Sequence, residues 1–491
     1  MSIIDINNLT FAYDGSYENV FENVSLRLDT DWKLGFTGRN GRGKTTFLNL
    51  LLGKYPYSGT ISASVDFEYF PYEIRDKSRF TCEAAAEIGH FQEWQLIREL
   101  NLLDVEEDVL YRPFSTLSNG EQTKVLLAAL FLRENSFLLI DEPTNHLDAA
   151  ARMTISSYLN TKSGFILVSH DRTFLDNCID HVLSINKTNI EIQKGNFSSW
   201  LRNKELQDNF ELAESEKLKK DIKRLKAAAA QTADWSEKAE KTKKGTKNSG
   251  VKPDKGYIGH KAVKMMKRSK SIDERRQTAA EEKSKLLKNL ETAETLKIHP
   301  LEYHSSSLVS LKEVSVRYGD RVVCGPISFT IRGGDRIALS GKNGCGKSSL
   351  LKLIRGENIP HTGEVKVASG VKISYVKQDS SDMHGSLADY SARLGIDESL
   401  FKAILRKLDF SREQFEHDIS EFSAGQKKKV LLAGSLCEQA HLYIWDEPLN
   451  YIDVISRMQI EELLAEYRPT LLFVEHDNAF CEKIASNIIF M

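Results

Sequence analysis

Four short motifs occur twice, in the same order, along this chain. The first copies are GRNGRGKTT at 38–46, LSNGEQ at 117–122, LLIDEPTNHLD at 138–148 and VSHD at 168–171. The second copies are GKNGCGKSS at 341–349, FSAGQK at 422–427, YIWDEPLNYID at 443–453 and VEHD at 474–477. The paired motifs lie 303 to 306 residues apart. An offset this constant indicates duplication of an entire domain.

Each copy spans about 190 residues, and we place the two domains at 1–195 and 305–491. Short apolar runs alternate with helical stretches in both, which predicts an α/β fold with a largely parallel sheet. The runs Leu138–Ile140 and Leu442–Trp445 are typical of strands buried on both faces. Ile337–Leu339, followed by a glycine-rich turn and Lys347–Leu353, predicts a strand–loop–helix unit.

The segment 196–304 between the two domains has a different composition, rich in Lys, Glu, Ala and Leu. Apolar residues recur within it at helical spacing. We predict a long antiparallel α-helical hairpin, with helices at about 205–242 and 260–297 and a tip at about 243–259 that contains glycine and proline.

The charge of this insert is uneven. The whole chain has a formal net charge of −2, but residues 217–270 contain 18 Lys and Arg against five acids. The rest of the chain must therefore carry a net charge of −15. Such a basic segment on an acidic protein favours contact with a nucleic-acid phosphate backbone. A merely solvated helix face is the alternative.

Membrane insertion and secretion are both disfavoured by the sequence. No apolar run approaches the ~18 residues that a membrane span needs. The first residues, MSIIDINN, have neither the basic start nor the apolar core of a signal peptide. The six cysteines are scattered, which is typical of reduced thiols. We expect a cytoplasmic protein.

Both glycine-rich segments match the pattern G-x-x-x-x-G-K-[ST], whose backbone N–H groups wrap phosphates ahead of a helix N-terminus. We expect Lys44 and Lys347 to reach the β- and γ-phosphates of a nucleotide. The hydroxyls of Thr45 and Ser348 are expected to hold Mg²⁺. The predicted phosphate-binding residues are Gly38, Arg39, Asn40, Gly41, Arg42, Gly43, Lys44, Thr45 and Thr46, and Gly341, Lys342, Asn343, Gly344, Cys345, Gly346, Lys347, Ser348 and Ser349.

Acidic residues end an apolar strand about 97–99 residues after each loop lysine. Asp141 and Asp446 are placed to bind Mg²⁺ through water, and the adjacent Glu142 and Glu447 fit a general base for the attacking water. A histidine follows each pair after another apolar run, and it suits a γ-phosphate contact or a water-orienting role. These are His170 and His476.

The S-x-G-[EQ] motif, which begins at Ser118 and Ser423, lies 23 residues before the magnesium aspartate in both halves. With the other motifs, it makes the chain resemble a tandem ATP-binding-cassette protein. Two cassettes with no membrane domain, joined by a long charged hairpin, are similar to the ABC-F translation factors. Within that family the sequence most resembles the antibiotic-resistance subgroup of Lsa type, which acts by ribosomal protection.

The resemblance implies that ATP lies between the two halves. The loop of the first half would face Ser423 and Gly425, and the loop of the second would face Ser118 and Gly120. The resemblance also implies that Tyr13 and Tyr318 stack on adenine, although a tyrosine near a strand is often a core residue. Cassette pairing within one chain implies a monomer with no transmembrane subunit.

The first half departs from the family pattern in its Q-loop. Gln378 occupies this position in the second half and would offer its amide oxygen to Mg²⁺, whereas the first half has Tyr72. The second signature has Ala424 in place of a glycine. We therefore expect two unequal nucleotide sites.

The resemblance further implies binding to the E site of the 70S ribosome in the closed, ATP-bound state, with the hairpin contacting P-site tRNA and 23S rRNA. Lincosamide, streptogramin A and pleuromutilin antibiotics would be displaced, and hydrolysis would release the protein.

Candidate RNA contacts in the tip are Lys243, Lys244, Lys247, Lys252, Lys255 and Tyr257. Tyr257 could equally pack on its own hairpin.

Three other functions remain as alternatives to ribosomal protection: a housekeeping ABC-F factor, a transporter ATPase subunit and a DNA-maintenance ATPase.

Overall fold

Each sequence repeat folds into the same pair of sheets with helices around them. The structure is a computed structural model that describes residues 2–15, 19–145, 147–186, 189–242, 296–305, 307–319 and 321–491, with scattered positions between 260 and 278. Contacts divide the chain into two units. One comprises residues 1–198 and 293–491 and so contains both cassettes, and the other comprises residues 199–292.

The first cassette contains nine strands and six helices within its described residues. Its strands are β1 (Ile3–Phe11), β2 (Phe21–Asp29), β3 (Lys33–Thr37), β4 (Ser58–Ser62), β5 (Asp66–Phe70), β6 (Ser136–Asp141), β7 (Phe165–Val168), β8 (His181–Ile185) and β9 (Ile190–Lys194). Its helices are α1 (Lys44–Leu51), α2 (Thr81–Ala86), α3 (Glu93–Leu102), α4 (Asn119–Phe131), α5 (Ala149–Asn160) and α6 (Arg172–Cys178). The long helix α7 (Phe197–Thr242) follows.

The second cassette repeats this order up to the counterpart of β8. Its strands are β10 (Ser307–Tyr318), β11 (Arg321–Arg332), β12 (Arg336–Ser340), β13 (His361–Val367), β14 (Ile373–Val376), β15 (Leu442–Asp446), β16 (Leu471–Val474) and β17 (Asn487–Phe490). Its helices are α8 (Lys347–Ile354), α9 (Leu387–Leu394), α10 (Glu398–Lys407), α11 (Ala424–Cys437), α12 (Val454–Tyr467) and α13 (Asn478–Ile484).

The main sheet of each cassette is parallel at its centre, as the apolar runs predict. Its strand order is β5-β6-β7-β3-β8-β9 in the first cassette and β14-β15-β16-β12-β17 in the second. Within the described residues of these two sheets, β9 alone runs antiparallel to its neighbour. Strands β7, β15 and β16 are buried along their whole length, because helices cover both faces. The predicted strands 138–140, 337–339 and 442–445 are confirmed as parts of β6, β12 and β15.

Strand order brings the repeated motifs together. The phosphate loop follows β3, which lies beside β7, and β7 in turn pairs with β6. Because the carboxyl ends of parallel strands meet at one edge of a sheet, the loop, the Asp–Glu pair after β6 and the histidine after β7 converge there. Each cassette also has a smaller antiparallel sheet, with the strand order β2-β1-β4 in the first and β11-β10-β13 in the second. Tyr13 follows the end of β1 by two residues, and Tyr318 is the last residue of β10.

The insert differs from the prediction at its ends. Helix α7 begins at Phe197, eight residues before the predicted start, because Phe197 is buried and Ser198 N donates to Asp176 Oδ1 at 2.7 Å. Its 46 residues span about 70 Å at the usual helical rise. The second predicted helix extends too far, since residues 296–300 are not helical. Leu296 and Ile298 instead pack into the core of the second cassette, ahead of Pro300. The predicted tip at 243–259 lies outside the described residues.

Two candidate nucleotide sites

The two phosphate loops have matching backbone geometry. Gly43 precedes α1 with φ +92°, and a Cβ there would lie 2.7 Å from Val20 Cγ1. Gly346 precedes α8 with φ +93°, and a Cβ there would lie 3.1 Å from Cys324 Cβ. Only glycine tolerates both the left-handed conformation and the close approach. Each loop therefore ends at a helix N-terminus, which favours an anion.

Each loop lysine donates hydrogen bonds to carbonyl groups at the start of its own phosphate loop. Lys44 Nζ donates to Gly38 O at 2.7 Å and to Arg39 O at 3.2 Å. Lys347 Nζ donates in the same way to Gly341 O at 2.8 Å and to Lys342 O at 3.0 Å. Both lysines are more than nine-tenths buried. Their ammonium groups are held at the centre of the loops, where phosphate oxygens can replace the carbonyl partners.

The aspartates predicted to hold magnesium end β6 and β15. Asp141 Oδ2 accepts from Thr45 Oγ1 at 3.2 Å and from Tyr69 Oη at 3.0 Å. Asp446 is 1% exposed, and its Oδ1 accepts no hydrogen bond from the described residues. Burial raises the pKa of both aspartates. Carboxylate and hydroxyl oxygens are the ligands that Mg²⁺ prefers, and an unsatisfied buried carboxylate oxygen fits such a cation.

The predicted general bases have the same strained backbone in both cassettes. Glu142 has φ +51° and Glu447 has φ +47°. Left-handed φ values in non-glycine residues cost energy and are frequent at functional sites. The backbone N–H of each glutamate donates to the last residue of the neighbouring strand, at Val168 O and Val474 O. His170 Nε2 lies 3.2 Å from Glu142 Oε1, and His476 Nε2 lies 3.5 Å from Glu447 Oε1.

The two glutamates differ in electrostatics. Burial, together with the Asp141 charge, raises the pKa of Glu142 to about 8. At Glu447 burial also favours the neutral form, but hydrogen bonds from His476 and Gln378 and the charge of Lys428 outweigh it and lower the pKa. Burial and the Lys44 charge lower the pKa of His170, so its imidazole is neutral. The carboxylate of the second site is thus better stabilised in its ionised form.

Residues of the second cassette line the cavity around the first loop. This cavity of about 530 Å³ is bordered by Lys44, Thr45 and Thr46, by Asp141, Glu142 and His170, and by Ser423, Gly425, Asp409 and Tyr451 of the other cassette. We name it the first site. Asn40 Nδ2 donates to Tyr451 O at 2.8 Å across the interface. A Cβ on Gly425 would lie 2.5 Å from Tyr451 O, so glycine is required where these segments meet.

An acidic residue also joins the cassettes beside this cavity. Asp409 lies 3.5 Å from Arg39 Nη1 and 3.8 Å from Arg42 Nη2. The Arg39 side chain is only 7% exposed. Asp409 lies outside every repeated motif and was not predicted. Tyr451 lies within the repeated segment YIWDEPLNYID, but it was not predicted as a site residue.

The cavity around the second loop is smaller, at about 430 Å³, and we name it the second site. It is lined by Gly344, Lys347, Ser348 and Ser349, by Gln378, Glu447 and His476, and by Asn119 of the first cassette. Of the first signature motif, only Asn119 borders this cavity, whereas Ser118 and Gly120 do not. Ser118 Oγ accepts from Glu121 N and starts α4, as Ser423 Oγ accepts from Gln426 N and starts α11.

The remaining residues to place are the two tyrosines predicted to stack on adenine, the Q-loop tyrosine and the residues of the hairpin tip. Tyr13 Oη is 2.6 Å from Thr46 Oγ1, and Tyr318 Oη is 3.1 Å from Ser349 Oγ. Both tyrosine rings are about half exposed, which leaves a face open for stacking. Tyr72, at the Q-loop position, is not among the residues that border the first cavity. The predicted RNA contacts of the hairpin tip, from Lys243 to Tyr257, lie outside the described residues.

A buried charge pair supports the segment that the second cassette presents to the first site. Lys429 Nζ lies 2.7 Å from Asp453 Oδ2, and both side chains are almost completely buried. The Lys429 charge and hydrogen bond lower the pKa of Asp453 despite its burial. Arg457 is 3.4 Å from Asp477 and donates to Ile452 O and Leu449 O. These contacts fix the backbone on both sides of Tyr451.

Among the described residues, no helix is both long and apolar enough to cross a membrane. The family profile described as "ABC transporter" matches residues 21–145 and 324–450. The chain is 30% identical to the ribosome protection protein VmlR of Bacillus subtilis, over 99% of this chain and 86% of that protein. It is 25% identical to ABC transporter F family member 2 of Arabidopsis thaliana, over 99% of this chain and 76% of the relative.

A solved structure shares the fold. The archaeal ribosome recycling factor aABCE1, in complex with the ribosomal stalk protein aP1, superimposes with a TM-score of 0.63 at 17% identity, covering 98% of this chain and 87% of that one. The duplicated motifs, the paired sheets and the matches over nearly the full chain agree. The chain therefore belongs to the ABC-F family of ATP-binding-cassette proteins, and it is an ATPase with two tandem cassettes.

Proposed function

We propose that this protein is a ribosome-protection ATPase that acts in the cytoplasm as a monomer. In the closed, ATP-bound state it would occupy the E site of the 70S ribosome and protect the peptidyl-transferase centre from lincosamide, streptogramin A and pleuromutilin antibiotics. The observation that carries the proposal is the first cavity, which residues of both cassettes complete, in a chain whose insert has an excess of 13 positive charges over residues 217–270. The similarity to VmlR supports the same assignment.

The proposed chemistry is hydrolysis of ATP at both sites. Lys44 and Lys347 would bind the β- and γ-phosphates, with signature residues of the opposite cassette closing over the nucleotide. Thr45 with Asp141, and Ser348 with Asp446 and Gln378, would hold Mg²⁺, which neutralises phosphate charge when bound. Glu142 and Glu447 would accept the proton of the attacking water, and His170 and His476 would orient it.

Closure of the cassettes gives ATP its mechanical effect. Each site is complete only when the two cassettes are together, so binding energy at the sites favours the closed state. Helix α7 is fixed to the first cassette at its start by the buried Phe197 and by the Ser198–Asp176 hydrogen bond. A change in that cassette is therefore transmitted to the root of the insert, whose lysines suit the phosphates of P-site tRNA and 23S rRNA.

Ribosome binding is tested with the double variant Glu142→Gln and Glu447→Gln. We expect it to sediment with 70S ribosomes in ATP and to remain in the supernatant in ADP. The matched control adds Lys44→Ala and Lys347→Ala, which should abolish the ATP effect. A double variant that stays free of ribosomes in ATP would contradict the proposal.

Protection itself is tested in cells that express the chain. We expect raised minimum inhibitory concentrations for the three antibiotic classes, and no increase for the double glutamine variant. An ATP-dependent ribosome complex without any change in drug sensitivity would replace this proposal with a housekeeping ABC-F factor.

A further inference from the structure

The two cassettes differ at a pair of buried positions that lie next to catalytic groups. The second cassette has Lys428 on α11 and Glu475 after β16. The repeat places Thr123 and Ser169 at the corresponding positions of the first cassette. A lysine and a glutamate in one copy therefore stand where the other copy has two neutral hydroxyl residues.

Lys428 joins two segments of the second site. Its side chain is 1% exposed, and its Nζ donates to Lys377 O at 2.8 Å and to Asp446 O at 3.3 Å. Lys377 directly precedes Gln378, and Asp446 directly precedes Glu447. One ammonium group thus holds the backbone ahead of both residues, and both border the second cavity.

Glu475 joins two further segments. It is 8% exposed, its Oε1 accepts from Leu449 N at 2.7 Å, and its Oε2 accepts from His476 N at 3.2 Å. Leu449 lies in the segment that follows Glu447, and His476 borders the second cavity.

The first cassette makes only a local link at these positions. Ser169 Oγ lies 3.2 Å from Thr144 Oγ1 and accepts from Asp171 N. Thr123 is half-buried and has no side chain long enough to reach two carbonyl groups at once. The Q-loop position of this cassette is Tyr72, not glutamine. Lys428 and Glu475 therefore accompany the complete set of Gln378, Glu447 and His476.

We propose that Lys428 and Glu475 are positioning residues of the second site. Lys428 holds Gln378 and Glu447 at a fixed separation, Glu475 holds His476 against the same segment, and the pair makes the second site the faster of the two in hydrolysis. The proposal rests on the roles proposed above for Gln378, Glu447 and His476, and it does not depend on ribosome binding.

The first cassette supplies the test substitutions. Lys428→Thr, Glu475→Ser and the combination are placed in a Glu142→Gln background, where only the second site hydrolyses ATP. We expect each to lower kcat about tenfold or more, because displacing a catalytic group by about 1 Å is that costly, while KM for ATP changes less than about twofold. The double variant should keep the low kcat, because it restores neither of the two links to the backbone.

Two further measurements with Lys428→Met separate a loss of positioning from a loss of folding. Lys428→Met preserves side-chain volume without the ammonium group and should reproduce the kcat loss even if Lys428→Thr folds poorly. In a Glu447→Gln background, where only the first site hydrolyses, Lys428→Met should leave kcat unchanged. The proposal is overturned if kcat recovers in the double variant, or if Lys428→Met slows both sites equally. Undiminished hydrolysis in the variant with both Glu142→Gln and Glu447→Gln would instead contradict the proposed roles of the glutamates.

Discussion

The first and second nucleotide sites share every repeated motif and still differ in what surrounds those motifs. The first is tied to the opposite cassette by the Asn40–Tyr451 hydrogen bond and by Asp409 beside two arginines. The second is braced within its own cassette by Lys428 and Glu475. Motifs specify the chemistry that a site can perform, whereas the neighbours determine how firmly each part is held.

The counterpart of the Asp409 contact shows how the difference arises. Asp104 occupies the equivalent position of the first cassette and accepts from Thr154 Oγ1 at 3.3 Å within its own cassette. The second loop has Cys345 where the first has Arg42, so this part of the ion pair cannot form there. The Asp409–Arg42 contact is therefore particular to the first site, and we infer that it helps to hold the cassettes together there.

The largest expected effect comes from removing both proposed bases. Glu142→Gln with Glu447→Gln should lower ATP hydrolysis by about 10² to 10⁴-fold, because a positioned general base contributes that much. ATP binding should remain, since neither change touches the loop lysines. Phosphate release and filter binding of labelled ATP measure the two quantities. Of the single variants, Glu447→Gln should lose more activity, and the reverse order would contradict the comparison of the sites.

A smaller loss of ATP hydrolysis, confined to the first site, is expected from a substitution at Gly425. Gly425→Ala would place a Cβ 2.5 Å from Tyr451 O, so backbone must shift at the first site. A displacement of this kind costs about 100-fold in rate, measured with Glu447→Gln present. The matched control is Gly120→Ala in the first signature, measured with Glu142→Gln present. Its nearest neighbour would be Leu147 Cδ2 at 3.7 Å, an ordinary contact, so a much smaller loss is expected. Equal losses would show that the two interfaces are alike.

The smallest expected effect is electrostatic. Asp409→Ala removes partly exposed ion pairs to Arg39 and Arg42, which are worth about 1 kcal/mol and hence roughly a fivefold rise in KM for ATP at the first site. The rise should shrink in high salt because screening already weakens such pairs. Asp104→Ala is the control and should leave KM at the first site unchanged. A salt-independent effect would contradict the ion-pair interpretation.

The repeat made the fold predictable from sequence, and with it the positions of the proposed catalytic groups. Loop glycines, the aspartates and the glutamates lie at strand ends, where spacing and apolar periodicity mark them directly. Contacts such as Asn40 with Tyr451 join residues more than 400 positions apart and depend on how two cassette surfaces meet, so no local pattern records them. The early start of α7 depends on one buried side chain, Phe197. The second helix of the insert was predicted to extend too far because Leu296 and Ile298 pack into the core of the second cassette, which is a tertiary effect.

The central claim is that each cassette completes the nucleotide site of the other, and a pair of arginine substitutions tests it most directly. With Glu447→Gln present, only the first site hydrolyses ATP. Ser423→Arg, which places a bulky cation in the cavity beside Lys44, should then abolish phosphate release, whereas Ser118→Arg should leave most of it. Loss of activity with Ser118→Arg and retention with Ser423→Arg would show that the first site is closed by its own cassette, contrary to this account.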